Sequence, residues 1–140
     1  MNVELRVASP LQQKVDLLGI PCFEEDLARG AKGPRRALLA AADRRLGGQL
    51  LSAAREEHFE GGAESTFTLH TGGRLPAVRL ALLGLGKQPR FETEALRVAA
   101  AQLIRAAGRV SAARAALLLP GAAAGPQEAR AAAEGALLGA

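Results

Sequence analysis

The sequence has a single cysteine, no tyrosine, no tryptophan and only four phenylalanines in 140 residues. A lone Cys22 excludes an internal disulfide and removes the usual zinc ligand sets. With aromatics at 3%, the core has to be built from Leu, Val, Ile and Ala, which favours closely approached helices over packed rings. The same scarcity leaves few stacking platforms for single-stranded nucleic acid. Long apolar runs are also missing: the longest extend to about ten residues and are broken by Pro120, too short to cross a bilayer. The start, MNVELRVASP, has no apolar segment behind a basic end, so no secretory leader is expected. A soluble cytoplasmic protein without membrane partners is the default expectation.

What is present is ordinary for a globular domain. Apolar residues make up 49% and charged residues 23%, with a mean hydropathy of +0.07. The length predicts one domain, residues 1–140, large enough for a real core. Net charge is +4, and of 18 cationic residues only three are Lys (Lys14, Lys32, Lys87). Heavy use of Arg and Ala together is what a GC-rich genome imposes on ordinary proteins, so basicity alone says little about nucleic acid.

Hydrophobic periodicity orders the elements. Val3 to Ala8 alternates, with Val3, Leu5 and Val7 on one face, as a half-buried strand does. Val15 to Phe23 is a second apolar run, with Gly19 and Pro21 expected to break its far end. Glu24-Glu25-Asp26 then opens a polar loop through Gly30 and Gly33. Pro34 suits a first helical turn, and Arg35 to Leu46 reads as a helix with Leu38, Leu39 and Ala42 inward. Gly47-Gly48 interrupts it before a second helical stretch from Gln49 to His58.

Ser65 to Thr71 alternates Phe67 and Leu69 against Thr68 and His70, a strand. Val78 to Leu85 is nearly continuous in apolar content, as a central strand covered on both faces requires. Glu92 to Ala107 is a helix with Leu96, Ala99, Ala100, Leu103 and Ala107 at helical spacing. Arg97, Gln102, Arg105 and Arg109 take its wet side, and Gly108 suits its C-terminal cap. Arg114 to Leu119 is another buried strand, and Pro126 opens a last helix from Gln127 to Ala140. The succession predicts an α/β fold, a three-layer mixed sheet flanked by helices. Leu137 and Leu138 end the chain without a charged last turn or cap, as though more protein followed.

The layout of strand, Gly84-Leu85-Gly86-Lys87 and helix raises the possibility of a phosphate cradle. A P-loop needs Gly five residues before the Gly-Lys pair and Ser/Thr after it; here those positions are Ala81 and Gln88. A dinucleotide turn wants a small residue three after Gly86, but Pro89 stands there without an amide proton. Glu92 and Glu94 already occupy the positive end of the following helix. A simple tight turn is the better reading.

Other chemistry-bearing residues are dispersed. His58 and His70 lie in different elements without Cys or Asp at ligand spacing. Asp43 and the Glu56-Glu57 pair sit on amphipathic helices among Arg residues, where ion pairing along the helix accounts for them. Ser9, Ser52, Ser65 and Ser111 lack a partner that would make a nucleophile. Cys22, between Pro21 and Phe23, reads as an inert buried thiol. No catalytic, cofactor-binding or metal-binding set is assigned. One electrostatic feature stands out: Arg29, Lys32, Arg35, Arg36, Arg44 and Arg45, six cations against only Asp43 in the same span. Such a patch could meet a DNA backbone, or be a solvated helical face or a subunit contact.

The run STFTLHT, VRLALLGLGK, EALRVAAAQLIRAAG, RAALLLP and AAAEGALLGA, with VDLLGIPCFEEDL and Leu46 to Leu50 before it, resembles the N-terminal domain of leucyl aminopeptidases, the cytosolic two-metal peptidases of the M17 type. The likeness covers essentially the whole chain. It implies a macro-domain-like fold and a non-catalytic assembly or regulatory role. In that family a C-terminal domain holds two divalent metals, Zn or Mn, around Asn-Thr-Asp-Ala-Glu-Gly-Arg, a stretch absent here. The implied partners are that catalytic domain, further copies in a hexamer, and in some bacterial members DNA. Macro domains proper bind ADP-ribose through glycine-rich loops, which keeps a nucleotide-binding alternative open beside the DNA-binding one.

Overall fold

The computed structural model describes residues 2–6, 10–87 and 93–118. The expected last helix, the chain end at Leu137-Leu138, and the positions of Pro89 and Glu92 lie outside the described residues, as does the facing of Val3, Leu5 and Val7. The elements are β1 (Asn2–Arg6), a 3-10 turn (Pro10–Gln12), β2 (Leu17–Cys22), α1 (Glu24–Leu27), α2 (Pro34–Arg45), α3 (Gln49–Glu56), β3 (Thr66–His70), β4 (Arg79–Gly84), α4 (Thr93–Arg109) and β5 (Arg114–Leu118).

The strands form one sheet in the order β1-β5-β2-β4-β3. All neighbours are parallel except β3, which runs antiparallel to β4 at one edge. The unit β4-α4-β5 is a parallel crossover, yet its strands do not touch, because β2 lies between them. Period-two alternation sends each central strand to two cores. Leu18, Ile20, Cys22, Leu80, Leu82, Ala116 and Leu118 meet Leu38, Leu39 and Ala42 of α2 and Leu50 and Ala54 of α3. Leu17, Ala81, Leu83, Ala115 and Leu117 meet Leu96, Ala99, Ala100 and Leu103 of α4. Helices on both faces of a mixed sheet give the expected three layers. Leu96, Leu103 and Ile104 are all buried, and each contributes roughly 1.5–3 kcal/mol by area removed from water.

Several local expectations fail for identifiable reasons. Gly19 and Pro21 do not break β2, which runs through both. A Cβ at Gly19 would come within 2.8 Å of Leu103 Cδ1, so the glycine lets α4 press against the sheet. Pro21 lies past the last β2–β5 pair, Gly19↔Leu117, where a missing N–H deprives no described partner. Glu24-Glu25-Asp26 is not loop but the body of α1.

Gly108 is not the cap of α4 but lies inside it. The left-handed residue is Ser111, at φ 55°. The Ala112 amide donates to the Ala107 carbonyl (2.9 Å) and the Ser111 amide to that of Gly108 (3.3 Å), the paired bonds of a Schellman ending.

Gln102 does not take the wet side. It is 2% exposed, and its Nε2 donates to the Gly84 carbonyl at 3.3 Å, while its Oε1 is buried without a partner among the described residues.

Carboxylates hold the connections. Asp43 does not pair with a neighbouring arginine; its Oδ1 accepts from the Leu51 amide (3.0 Å), doing for the start of α3 what its N-cap, Gly48, has no side chain to do. Glu56 and Glu57 are exposed and form no ion pair among the described residues. Asp16 Oδ2 accepts from the Ala113 and Arg114 amides (2.9 and 3.0 Å), fixing the start of β5 beside β2. At the far end of α2, Arg74 Nη1 donates to the Leu46 carbonyl at 3.0 Å.

Candidate functional site

The glycine turn closes the C-terminal end of β4. Gly84 donates its amide to the Ser65 carbonyl (2.7 Å), Leu85 to that of Cys22 (2.9 Å), and Gly86 to that of Gly61 (2.8 Å). Gly86 has φ 76°, the left-handed conformation that glycine adopts without strain. A phosphate cradle works by presenting free amides to the anion; here three successive ones are spent on protein carbonyls. The Gly86 carbonyl in turn accepts from the Glu24 amide at 2.9 Å, tying the turn to α1. Lys87 is exposed beside it. The geometry is that of a structural turn.

The basic cluster divides into two kinds of residue. Asp26, 5% exposed, collects the first kind: its Oδ2 accepts from the Phe23 amide (2.8 Å) and from Arg35 Nε (3.0 Å), and its carbonyl accepts from Arg36 Nη1 (3.1 Å). The Arg35 guanidinium also lies over the Phe23 ring, 4.8 Å from its centroid. Arg35 and Arg36 therefore bind α2 to α1. Arg29, Lys32, Arg44 and Arg45 are exposed and make no ion pair among the described residues. Positions 35 and 44 on α2 are separated by about 13 Å of helical rise, so the cluster is not one compact patch.

His58 and His70 are exposed, and His70 Nδ1 accepts from the Gly72 amide at 3.0 Å. Among the described residues no group of three or more His, Cys, Asp or Glu side chains converges on a metal-sized site.

Cys22 is fully buried, with Sγ 3.8 Å from the Leu83 carbonyl. Burial, reinforced by the Asp26 charge and partly opposed by Arg35, pushes its thiol from 9.0 up to about 12. Because the folded value lies above the unfolded one, this stability is fully present below pH 9 and is lost as pH rises towards 12. The expected slope is roughly 1.4 kcal/mol per pH unit. Denaturant melts between pH 8 and 11 should show the decline, and Cys22→Ala should flatten it; an equal decline in the variant refutes the assignment. An aromatic disulfide reagent should leave the native thiol unmodified and titrate it fully once the chain unfolds.

Sequence reasoning missed Asp16, Asp26 and Arg74, whose partners are distant in the chain. For Asp26 the one available signal is its place three residues after Phe23, at the start of a helix.

A five-stranded mixed sheet layered between helices, with its glycine turn sealed by backbone hydrogen bonds, is a macro-domain-like α/β sandwich. A macrodomain of DarG from Mycobacterium tuberculosis superposes with a TM-score of 0.67 at 15% identity, covering 98% of this chain and 91% of that one. A tomato leucine aminopeptidase mutant, K354E, superposes more closely, with a TM-score of 0.79 at 28% identity over 99% of this chain and 28% of that one. The chain belongs to the cytosol aminopeptidase family, matching its N-terminal domain over residues 20–140. A probable cytosol aminopeptidase of Geobacter sp. (strain M21) is 37% identical over 139 residues, 99% of this chain and 27% of that protein. Another, from Acidobacterium capsulatum, is 31% identical over 119 residues, 81% of this chain and 24% of that protein. The chain thus spans about a quarter of the length of these relatives.

Proposed function

We propose that this chain is the N-terminal assembly and regulatory domain of a bacterial, cytoplasmic leucyl aminopeptidase. The full protein would be a hexamer that releases N-terminal amino acids with two divalent metals, Zn or Mn. The observation that carries this reading is the match to the N-terminal domain of the family along nearly the whole chain. The donor set agrees with it. A bridged metal pair needs converging carboxylates, whereas Asp16, Asp26 and Asp43 are spent on backbone amides and Arg35. These residues do not fit a metal pair, and the chemistry would reside in the remainder of the parent protein. In an assay of leucine amide hydrolysis with added Zn or Mn, the purified 140-residue chain is expected to show no turnover. Metal-dependent release of leucine by it would overturn the proposal.

A second reading, contact with DNA, is favoured by the four exposed cations Arg29, Lys32, Arg44 and Arg45, which make no ion pair among the described residues. Four phosphate contacts predict an affinity that falls roughly a hundredfold between about 50 and 200 mM salt. Titration of a duplex at both salts checks this, and no binding at micromolar protein in the lower one removes the reading. Nucleotide binding through the glycine turn has no comparable support, since its amides are already occupied.

A further inference from the structure

A cleft of about 380 Å³ opens where α1, α2 and α3 meet the Phe59 turn. Leu27, Leu51 and Phe59 give it an apolar wall, and four charged side chains line it: Glu24, Arg36, Arg55 and Glu60. These charges sum to zero in a chain whose formal net charge is +4, so the cleft is not a place where the excess basicity collects. Among the described residues the four form no ion pair with one another.

One of the four side chains is held in place, and a second is anchored through its backbone. Arg36 donates Nη1 to the Asp26 carbonyl at 3.1 Å, which leaves further guanidinium protons in its planar fork. The Glu24 main chain is tied to the glycine turn, its amide donating to the Gly86 carbonyl at 2.9 Å, while its carboxylate is left to face the cleft.

A ligand of one charge sign could satisfy only half of such a cleft and would be repelled by the rest. An apolar ligand without charge would leave four ionised groups beside it. The volume is at the small end for ligand pockets. The geometry points to a binding site for a free α-amino acid with an apolar side chain. The ammonium group meets Glu24 and Glu60, the carboxylate meets Arg36 and Arg55, and the side chain lies on Leu51 and Phe59. This assignment stands on the cleft alone and is independent of the aminopeptidase reading.

The test is titration of the purified chain with L-leucine to about 20 mM, followed by amide NMR shifts at Leu27, Leu51 and Phe59; saturation in the millimolar range is expected. Leucinamide lacks the carboxylate and N-acetyl-leucine lacks the ammonium, and each should bind about tenfold more weakly. Arg55→Gln and Glu60→Gln, both at exposed positions, should each weaken leucine by a similar factor while leaving the melting temperature unchanged. Glycine, without an apolar side chain, should not saturate. Absence of saturable shifts with leucine overturns the assignment. So does full retention of binding by both blocked analogues, or by the Arg55→Gln/Glu60→Gln double variant. Tighter binding of a dileucine peptide would reject the free amino acid as the ligand.

Discussion

Gly84→Ala is expected to lower the melting temperature by on the order of 15 °C, or to prevent folding, which corresponds to a loss of more than about 4 kcal/mol. Gly84 does not have a positive φ, so alanine there meets no strain of its own backbone. The cost is steric. An added Cβ would overlap the Gly62 carbonyl oxygen and Ser65 Oγ and lie 2.9 Å from the Gly61 carbonyl carbon. The obstruction is chiefly backbone, which has no rotamer by which to retreat. That backbone is itself pinned, because Gly61 accepts from Gly86 (2.8 Å) and the Gly84 amide donates to Ser65 (2.7 Å). Moving either strand end therefore breaks the hydrogen bonds that seal the turn. Two controls separate this mechanism from a general intolerance. Gly72→Ala, at φ 64° with no atom within 4 Å of its Cβ, should cost only about 1 kcal/mol from backbone strain. Lys87→Ala, two residues beyond Leu85 and exposed, should stay within about 0.5 kcal/mol of the parent. Thermal melts of the three variants decide it, and a Gly84→Ala melt no lower than that of Gly72→Ala sinks the account.

The same turn shows how much could be read in the sequence. Its exclusion as a P-loop rested on Ala81 and Gln88, and the structure supplies the positive reason in the occupied amides of Gly84, Leu85 and Gly86. Elements with enough length to display a period were legible: α2 with Leu38, Leu39 and Ala42 inward, β4 between two cores, and α4 with its small-residue stripe. A helix as short as α1 has too few residues to show a period, and its run of three acids looked like loop. Gly19 misled because its reason is a tertiary one, the approach of Leu103. Gln102 misled because polarity placed it in water, whereas its amide reaches the Gly84 carbonyl beneath α4. The insertion of β2 between β4 and β5 leaves no local trace, since pairing partners are chosen after the strands exist. The cluster from Arg29 to Arg45 was visible as charge, but its division into half-buried anchors and exposed cations depends on Asp26.

Asp26→Ala is expected to cost about 3–5 kcal/mol, the penalty for removing one partner of a buried ion pair. The Asp26 side chain is 7% exposed and that of Arg35 19%, so the pair is largely out of solvent and only weakly screened. Without the carboxylate, the Phe23 amide loses its 2.8 Å acceptor and the Arg35 guanidinium, still over the Phe23 ring, loses its 3.0 Å partner. Arg35→Ala removes the opposite partner and also the stacking surface, so it should cost about 2–4 kcal/mol. The double variant should be less damaging than the sum of the two, with a coupling of about 1–3 kcal/mol measured by denaturant melts. Additivity within about 0.5 kcal/mol would mean that the contact contributes nothing specific. The cycle also bears on DNA binding. If these cations meet a duplex, Arg44→Gln and Arg45→Gln should weaken DNA without touching stability, because both side chains are exposed and form no ion pair among the described residues. Arg35→Lys should do the reverse, keeping a charge for phosphate while losing the Nε donor to Asp26 and the planar stack on Phe23. A loss of DNA affinity in Arg35→Lys at unchanged stability would place Arg35 in the interface and not in the anchor.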